Sequence, residues 1–449
     1  MASLNKSLLP RHVRMMALGG AIGAGIFQGS SETISTAGPG VVIAYLLAGL
    51  LLFVVMSAMA EMALRHPGRD LRGLVHDAFG PRLSLLVGWL YFINWILVMA
   101  VEVVVAGTFL SYWLPGVPVW LLSLASSLFI ISVNLASVRL FGEIEYWLAG
   151  IKIGTLIIFI LLGGLILTGI IPGAGDGPNG HHWTAHGGFL PHGMTGVLSA
   201  LLVVVFSYGG TEMIGLTLRE MKDPEKSLPG VIRGVMVRVV LFYVLPLLVI
   251  TGLIPWNEAS AKGSPFVHVL SSVGLKGAAH VMNAIMLSAV LSAAITGMYA
   301  TSRLLHSLAE QGEAPRAFTR VNRKGVPVAG IWVSMAGLML GTMVAFFAPE
   351  SVFRYLMGIP GFSVLFMWIL ICLSYLRLRK KSGVETSYRT PLGPVSVGLT
   401  AVLLIVILGF FLFNPDNRIS TLIVASVFTI LTVTAFAVHK GKHSSQDAA

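Results

Sequence analysis

The sequence predicts an all-α integral membrane protein with twelve transmembrane helices, on three observations. Hydrophobic residues make up 55% of the 449, charged residues only 11%, and the mean hydropathy is +0.85. A soluble chain carries about 25% charged residues. Apolar runs of roughly 20 residues, the length a helix needs to cross a ~30 Å hydrocarbon core, recur along the whole chain. Once those runs are taken as spans, lysine and arginine fall almost entirely on one side.

The runs lie at about 12–36, 40–64, 82–112, 118–137, 143–170, 195–218, 229–254, 274–307, 328–348, 352–376, 394–413 and 418–438. The third and eighth exceed the bilayer and must tilt or extend past it. With the N-terminus in the cytoplasm, only Lys262, Lys276, Arg354 and Arg418 of the 30 lysines and arginines lie outside. Both termini are therefore expected to be cytoplasmic. The net charge of +11 is explained by this topology rather than by nucleic-acid binding. Lys6, Arg11 and Arg14 precede the first run without a convincing cleavage site, so a retained first helix is expected. The single cysteine, Cys372, excludes an internal disulfide framework. The tail from Lys440 to Ala449 is short and polar, and no soluble domain is expected.

The first span contains Leu18-Gly19-Gly20-Ala21-Ile22-Gly23-Ala24-Gly25-Ile26-Phe27, with four glycines in ten residues. Each glycine costs about 1 kcal/mol against alanine inside a helix, so the span should break here. Unwound backbone at membrane depth is tolerated only where protein or a wet cavity satisfies it. A second such stretch, Phe206-Ser207-Tyr208-Gly209-Gly210-Thr211-Glu212, lies in the sixth span. Interrupted spans in corresponding positions of two halves point to the substrate site of a transporter. A half-helix ending at a break presents carbonyls, and the one beginning there presents N–H groups. A zwitterion matches both: its carboxylate to N–H groups around Ala24 and Gly25 beside Gly23, its ammonium to carbonyls near Ala21 and in the second break. Phe206 and Tyr208 would close over the ligand or line its side-chain pocket, with plain packing the alternative.

Ionisable residues inside a membrane cost about 2.5–3.5 kcal/mol each on insertion scales, so each is a functional candidate. Glu212 follows the second break and would serve as a proton carrier, a cation contact or a structural acceptor for freed N–H groups. Glu102 sits among valines well inside the third span and must face the bundle interior or a wet cavity, as a proton-exchanging group or a buried neutral carboxyl. Lys152, in Gly150-Ile151-Lys152-Ile153-Gly154, lies some ~13 Å along the fifth span. Snorkelling to the interface is one expectation for it. The other is burial against a helix packed on the flanking glycines, where its charge would be switchable and it would take the place of a sodium ion. Glu61 and Arg65 are expected to pair at an interface, and Trp89, Tyr91 and Trp95 to be belt or packing aromatics. The outer loop at about 171–194 carries His181, His182, His186 and His192; a polar loop is expected there rather than a metal site.

Leu18 to Phe27 with Gly29-Ser30-Ser31, the Ala37-Gly38-Pro39 turn and Ser207 to Glu212 strongly resemble bacterial amino acid permeases, the amino acid transporter branch of the amino acid–polyamine–organocation superfamily. Glu220 to Pro229 resembles that branch's loop after span six, and Ala300 to Leu305, on to Gly312, the end of its span eight. The similarity covers nearly the whole chain. It implies one transmembrane domain with a five-plus-five inverted repeat and broken helices one and six. The repeats would cover about 12–170 and 195–376, with two extra helices at 394–438. It also implies proton-coupled import of amino acids, by alternating access across the bacterial inner membrane, without a cofactor or obligate protein partner. Ala21, Ala24, Gly25, Phe206 and Gly209 match substrate contacts, Glu102 an acid of the third span, and Lys152 the lysine that replaces sodium. Where the branch usually has asparagine after Ser-Ala-Ala in span eight, this chain has Ile295.

With no side chain obviously dedicated to a charged substrate, neutral amino acids are the expected cargo. An amino acid exchanger is the nearest alternative. A membrane enzyme using the outer-loop histidines, or a channel, are the readings from other classes.

Overall fold

Every regular element among the described residues is a helix. The computed structural model describes residues 22–136, 138–171, 180–211, 224–259, 264–322, 325–347, 352–380, 386 and 388–446. The first helices are α1 (Ala24–Phe27), α2 (Gly29–Ala37), α3 (Val41–Arg65), α4 (Leu71–Phe79) and α5 (Pro81–Ser111). Next come α6 (Val119–Ala136), α7 (Val138–Leu167), α8 (Gly193–Ser207), α9 (Pro224–Val239), α10 (Leu245–Leu253) and α11 (Pro265–Ser272). The last are α12 (Lys276–Glu310), α13 (Val328–Phe347), α14 (Val352–Arg379), α15 (Pro394–Phe413) and α16 (Arg418–Gln446).

Among the described residues eight helical stretches are long and apolar enough to cross a membrane, and three shorter apolar helices accompany them. The outward faces suit lipid: α15 exposes Val395, Leu399, Val402, Val406 and Phe413, all more than half exposed. In water such a face would be a liability; in hydrocarbon it is solvated.

At the centre stands α5, which packs along α12 and also touches α6, α13, α14 and α16. Pro81 at its first turn suits a helix start, and the preceding Gly80 enters at φ +90°. At 31 and 35 residues, α5 and α12 run about 46 and 52 Å, longer than the hydrocarbon core. Small residues let neighbours reach α5: a Cβ on Gly341 of α13 would lie 2.6 Å from the Ala100 carbonyl oxygen. The two segments bearing the predicted breaks are neighbours, because α2 and α1 both pack on α8.

Two short helices lie outside the apolar runs. Asp70 caps α4 by accepting from the Gly73 N–H at 2.8 Å, and Leu71, Leu74, Val75 and Ala78 form its buried face. Arg72 of α4 pairs with Glu313 beyond α12. In α11, Phe266 packs on Phe27 at 5.2 Å and on Phe159 at 4.9 Å between ring centroids, and the Ser264 hydroxyl donates to the Phe27 carbonyl at 3.0 Å. This lays α11 over the end of α1.

The pair of Glu61 and Arg65 forms at 2.9 Å as expected, but it belongs to a larger knot. Glu61 is fully buried and also accepts from the Tyr375 hydroxyl and the Thr390 N–H, each at 2.8 Å. One carboxylate thereby ties α3 to α14 and to the stretch leading into α15.

Candidate functional site

In the first glycine-rich stretch the described backbone is irregular through Ile22 and Gly23 and turns helical at Ala24. Gly23 is extended (φ −141°, ψ −150°), so the first-turn N–H groups of α1 have no carbonyl behind them. The Ala24 N–H is shared by both carboxylate oxygens of Glu102, each at 3.1 Å. An anion at a helix start is held by the N–H groups and by the helix dipole together. Gly23 makes room for it, since a Cβ there would lie 2.6 Å from Glu102 Oε1.

The second break begins where α8 stops at Ser207, and Gly210 takes φ +93°, a left-handed conformation that favours glycine. A Cβ on Gly25 would lie 2.6 Å from Ser207 Cα, so the two breaks touch backbone to backbone. Between them and α5 lies a narrow cleft. Gly23, Gly25, Glu102, Phe206 and Gly209 border it, all of them residues the sequence marked. Ala21 and Glu212 lie outside the described residues.

Ala24 meets the site through its backbone. Tyr208 turns away from the cleft: its hydroxyl donates to the Tyr45 carbonyl at 2.8 Å, and its ring packs on Tyr45 and Tyr243. The Tyr243 hydroxyl donates to the Ser207 carbonyl at 2.9 Å, satisfying one of the carbonyls freed where α8 ends.

Lys152 lies fully buried at the other side of the first break and does not snorkel. Its ammonium donates to Ser292 Oγ at 2.8 Å and to the Ile22 carbonyl at 3.5 Å. Ser292 in turn donates to Glu145 Oε2 at 2.6 Å, and Glu145 Oε1 stands 3.9 Å from the ammonium. The break thus has a cation at the carbonyl of Ile22 and an anion at the N–H of Ala24. These are the two poles that an amino acid's own charges would seek.

The glycines flanking Lys152 do not bury it, contrary to expectation. Gly150 is exposed, and a Cβ on Gly154 would meet open space. Burial follows instead from the face carrying Glu145, Ala149, Lys152, Leu156 and Phe159, at alternating three- and four-residue steps. Glu145 escaped the sequence reading, although its place two helical turns before Lys152 puts both on that face. Trp95, expected to be a belt or packing residue, lines the cleft together with Asn94. Ile295 is buried among apolar neighbours, and its carbonyl accepts from Asn134 of α6 at 3.3 Å.

The described part of the outer loop is tied down rather than arranged around an ion. Trp183 Nε1 donates to the Leu248 carbonyl at 3.1 Å, and His192 Nδ1 meets the Thr36 carbonyl at 2.8 Å. Burial, with His181 and His186 beside it, holds the His182 imidazole below its usual value and so neutral at pH 7. Among the described residues no three His, Cys, Asp or Glu side chains gather as metal ligands do.

The model of the amino acid permease family matches residues 12–446. Over 443 residues, 98% of each chain, the sequence is 43% identical to the uncharacterized amino acid permease YvbW of Bacillus subtilis. It is 36% identical over 453 residues to that organism's gamma-aminobutyric acid permease, covering 100% of this chain and 96% of the relative. A probable threonine/serine transporter of the same organism, YbxG, is 35% identical over 440 residues, 97% of this chain and 95% of its own. The chain belongs to the amino acid permease family, whose members are membrane transporters and not enzymes.

Proposed function

We propose that this permease imports neutral amino acids across the bacterial inner membrane by proton symport, with alternating access around the two helix breaks. In this reading the chain makes twelve spans with both termini cytoplasmic. Residues 12–170 and 195–376 form the inverted repeats, and the helices at 394–438 are added to them.

The observation that carries the reading is the Glu102 carboxylate on the Ala24 N–H, at the edge of the cleft. A substrate carboxylate needs such N–H groups, and while Glu102 is ionised it competes for them. A protonated Glu102 accepts weakly, and the Ala24 N–H is then free for the substrate. Proton and amino acid therefore favour each other's binding, and linkage makes that preference reciprocal. Lys152, with Glu145 and Ser292, holds the Ile22 end of the break as a bound cation would, so no sodium ion is needed. Neutral cargo is supported by the cleft walls, where Glu102 is the one ionisable side chain among the described lining residues. It is also consistent with the names of the relatives, whose cargoes are zwitterions without a charged side chain.

Proteoliposome uptake of labelled amino acids, with and without an imposed proton gradient, tests this. Wild-type protein is expected to accumulate substrate at least tenfold above equilibrium only with the gradient. Glu102→Gln keeps the shape but not the exchangeable proton, so its binding should become independent of pH between 5 and 8, and accumulation should vanish. Accumulation by Glu102→Gln equal to wild type would overturn the coupling role. Counterflow unaffected by any gradient in the wild type would instead identify an exchanger.

A further inference from the structure

Glu102 lies on a side of α5 that also carries Val98, one helical turn before it, and the adjacent pair Asn94 and Trp95, one turn before that. All four line the cleft between the breaks. Asn94 is only 3% exposed and Trp95 only 4%. Neither Asn94 Oδ1 nor Trp95 Nε1 finds a hydrogen-bond partner among the described residues. Buried polar atoms are almost always paired, because leaving one unmet forfeits its hydration for nothing. Asn94 and Trp95 are adjacent in sequence and border one cleft, whose wall also includes Glu102 and Ser207. Val98, Phe206, Ala293 and Val364 are apolar.

We infer that Asn94 and Trp95 form the side-chain subsite of the cleft and select amino acids whose uncharged side chain both donates and accepts a hydrogen bond, a hydroxyl or a carboxamide. This rests on the transport reading above and adds the selectivity. The indole N–H can only donate, so it calls for an acceptor on the substrate. The Asn94 amide offers the complementary acceptor, and its own NH2 covers the opposite orientation. A hydroxyl or a carboxamide answers both groups at once, whereas an aliphatic side chain answers neither. A substrate whose α-carboxylate and ammonium sit at the first break, beside Glu102, would extend its side chain along this face of α5. A site built to hydrogen-bond a substrate group rejects the analogue lacking it far more strongly than an apolar pocket rejects an added hydroxyl.

The test is equilibrium binding to the purified full-length chain, using two near-isosteric pairs: threonine against valine, and asparagine against leucine. Wild-type protein is expected to bind the polar member of at least one pair tenfold or more tightly. Trp95→Phe keeps an aromatic ring and removes the N–H, and Asn94→Leu keeps the branched shape and removes the amide. Each should shrink that preference at least tenfold. The reading is the ratio within a pair, so a general loss of fold, which lowers both members alike, cannot imitate the result. Equal affinity for the members of both pairs in the wild type, or a preference unchanged in both variants, would overturn this inference and leave the transport reading standing. A wild-type protein that binds none of the four would likewise overturn this inference, while uptake of other labelled neutral amino acids still tests the transport reading.

Discussion

Gly25→Val is expected to lower amino acid binding and uptake at least a hundredfold. A Cβ at this position lies 2.6 Å from Ser207 Cα and 2.9 Å from Ser207 Oγ, and the nearest of these atoms is backbone. Backbone cannot rotate aside as a side-chain tip can, so α1 and the end of α8 must move apart. Valine adds two further methyls on a stiff, β-branched carbon. Both breaks border the cleft, and a shift of about 1 Å in a positioned site costs on the order of a hundredfold. Gly25→Ala should show an intermediate loss, because it carries the Cβ contact without the branch. Size-exclusion profiles of both variants separate a damaged site from a damaged fold. Wild-type affinity in a monodisperse Gly25→Val protein would remove this contact from the site.

Lys152→Ala is expected to abolish accumulation driven by a proton gradient while substrate counterflow persists in part. The ammonium is buried on Ser292 and the Ile22 carbonyl, beside Glu145. Removing it leaves the Glu145 carboxylate buried without its cation, a change that costs about 3–5 kcal/mol when one partner of a buried pair is deleted. Part of any loss would therefore be stability, and the double variant Lys152→Ala/Glu145→Gln separates the two effects. It should recover thermal stability, since no charge is stranded, yet still fail to accumulate substrate. Gradient-driven accumulation in the double variant would reduce Lys152 to a structural counter-ion.

The long helices were legible because uninterrupted apolar runs leave a chain few other options in lipid. The two irregular stretches were legible for a different reason, since glycines in a span each weaken a helix by about 1 kcal/mol against alanine. The structure ends α8 at Ser207 and begins α1 at Ala24, within the two marked stretches. The amphipathic helix α4 falls between the second and third apolar runs, too short to register as a span, although Asp70 and the following apolar residues spell out a capped turn. Tertiary partners were less visible. Nothing local to Glu61 announces Tyr375 or Thr390, which lie more than 300 residues away. Glu145 shares the buried face of α7 with Lys152, whereas the exposed Gly150 marks a different face. Trp95 borders the cleft, a place its type does not announce, because tryptophan in a span more often packs or anchors.

The central claim is that exposed backbone groups at two adjoining breaks grip both charges of an amino acid. It is tested most directly by competition binding with a transported amino acid, its decarboxylated amine and its deaminated acid. Loss of either charge is expected to weaken binding at least a hundredfold, since each analogue leaves one pole of the breaks unanswered. An amine or an acid that competes as well as the parent amino acid would contradict the account.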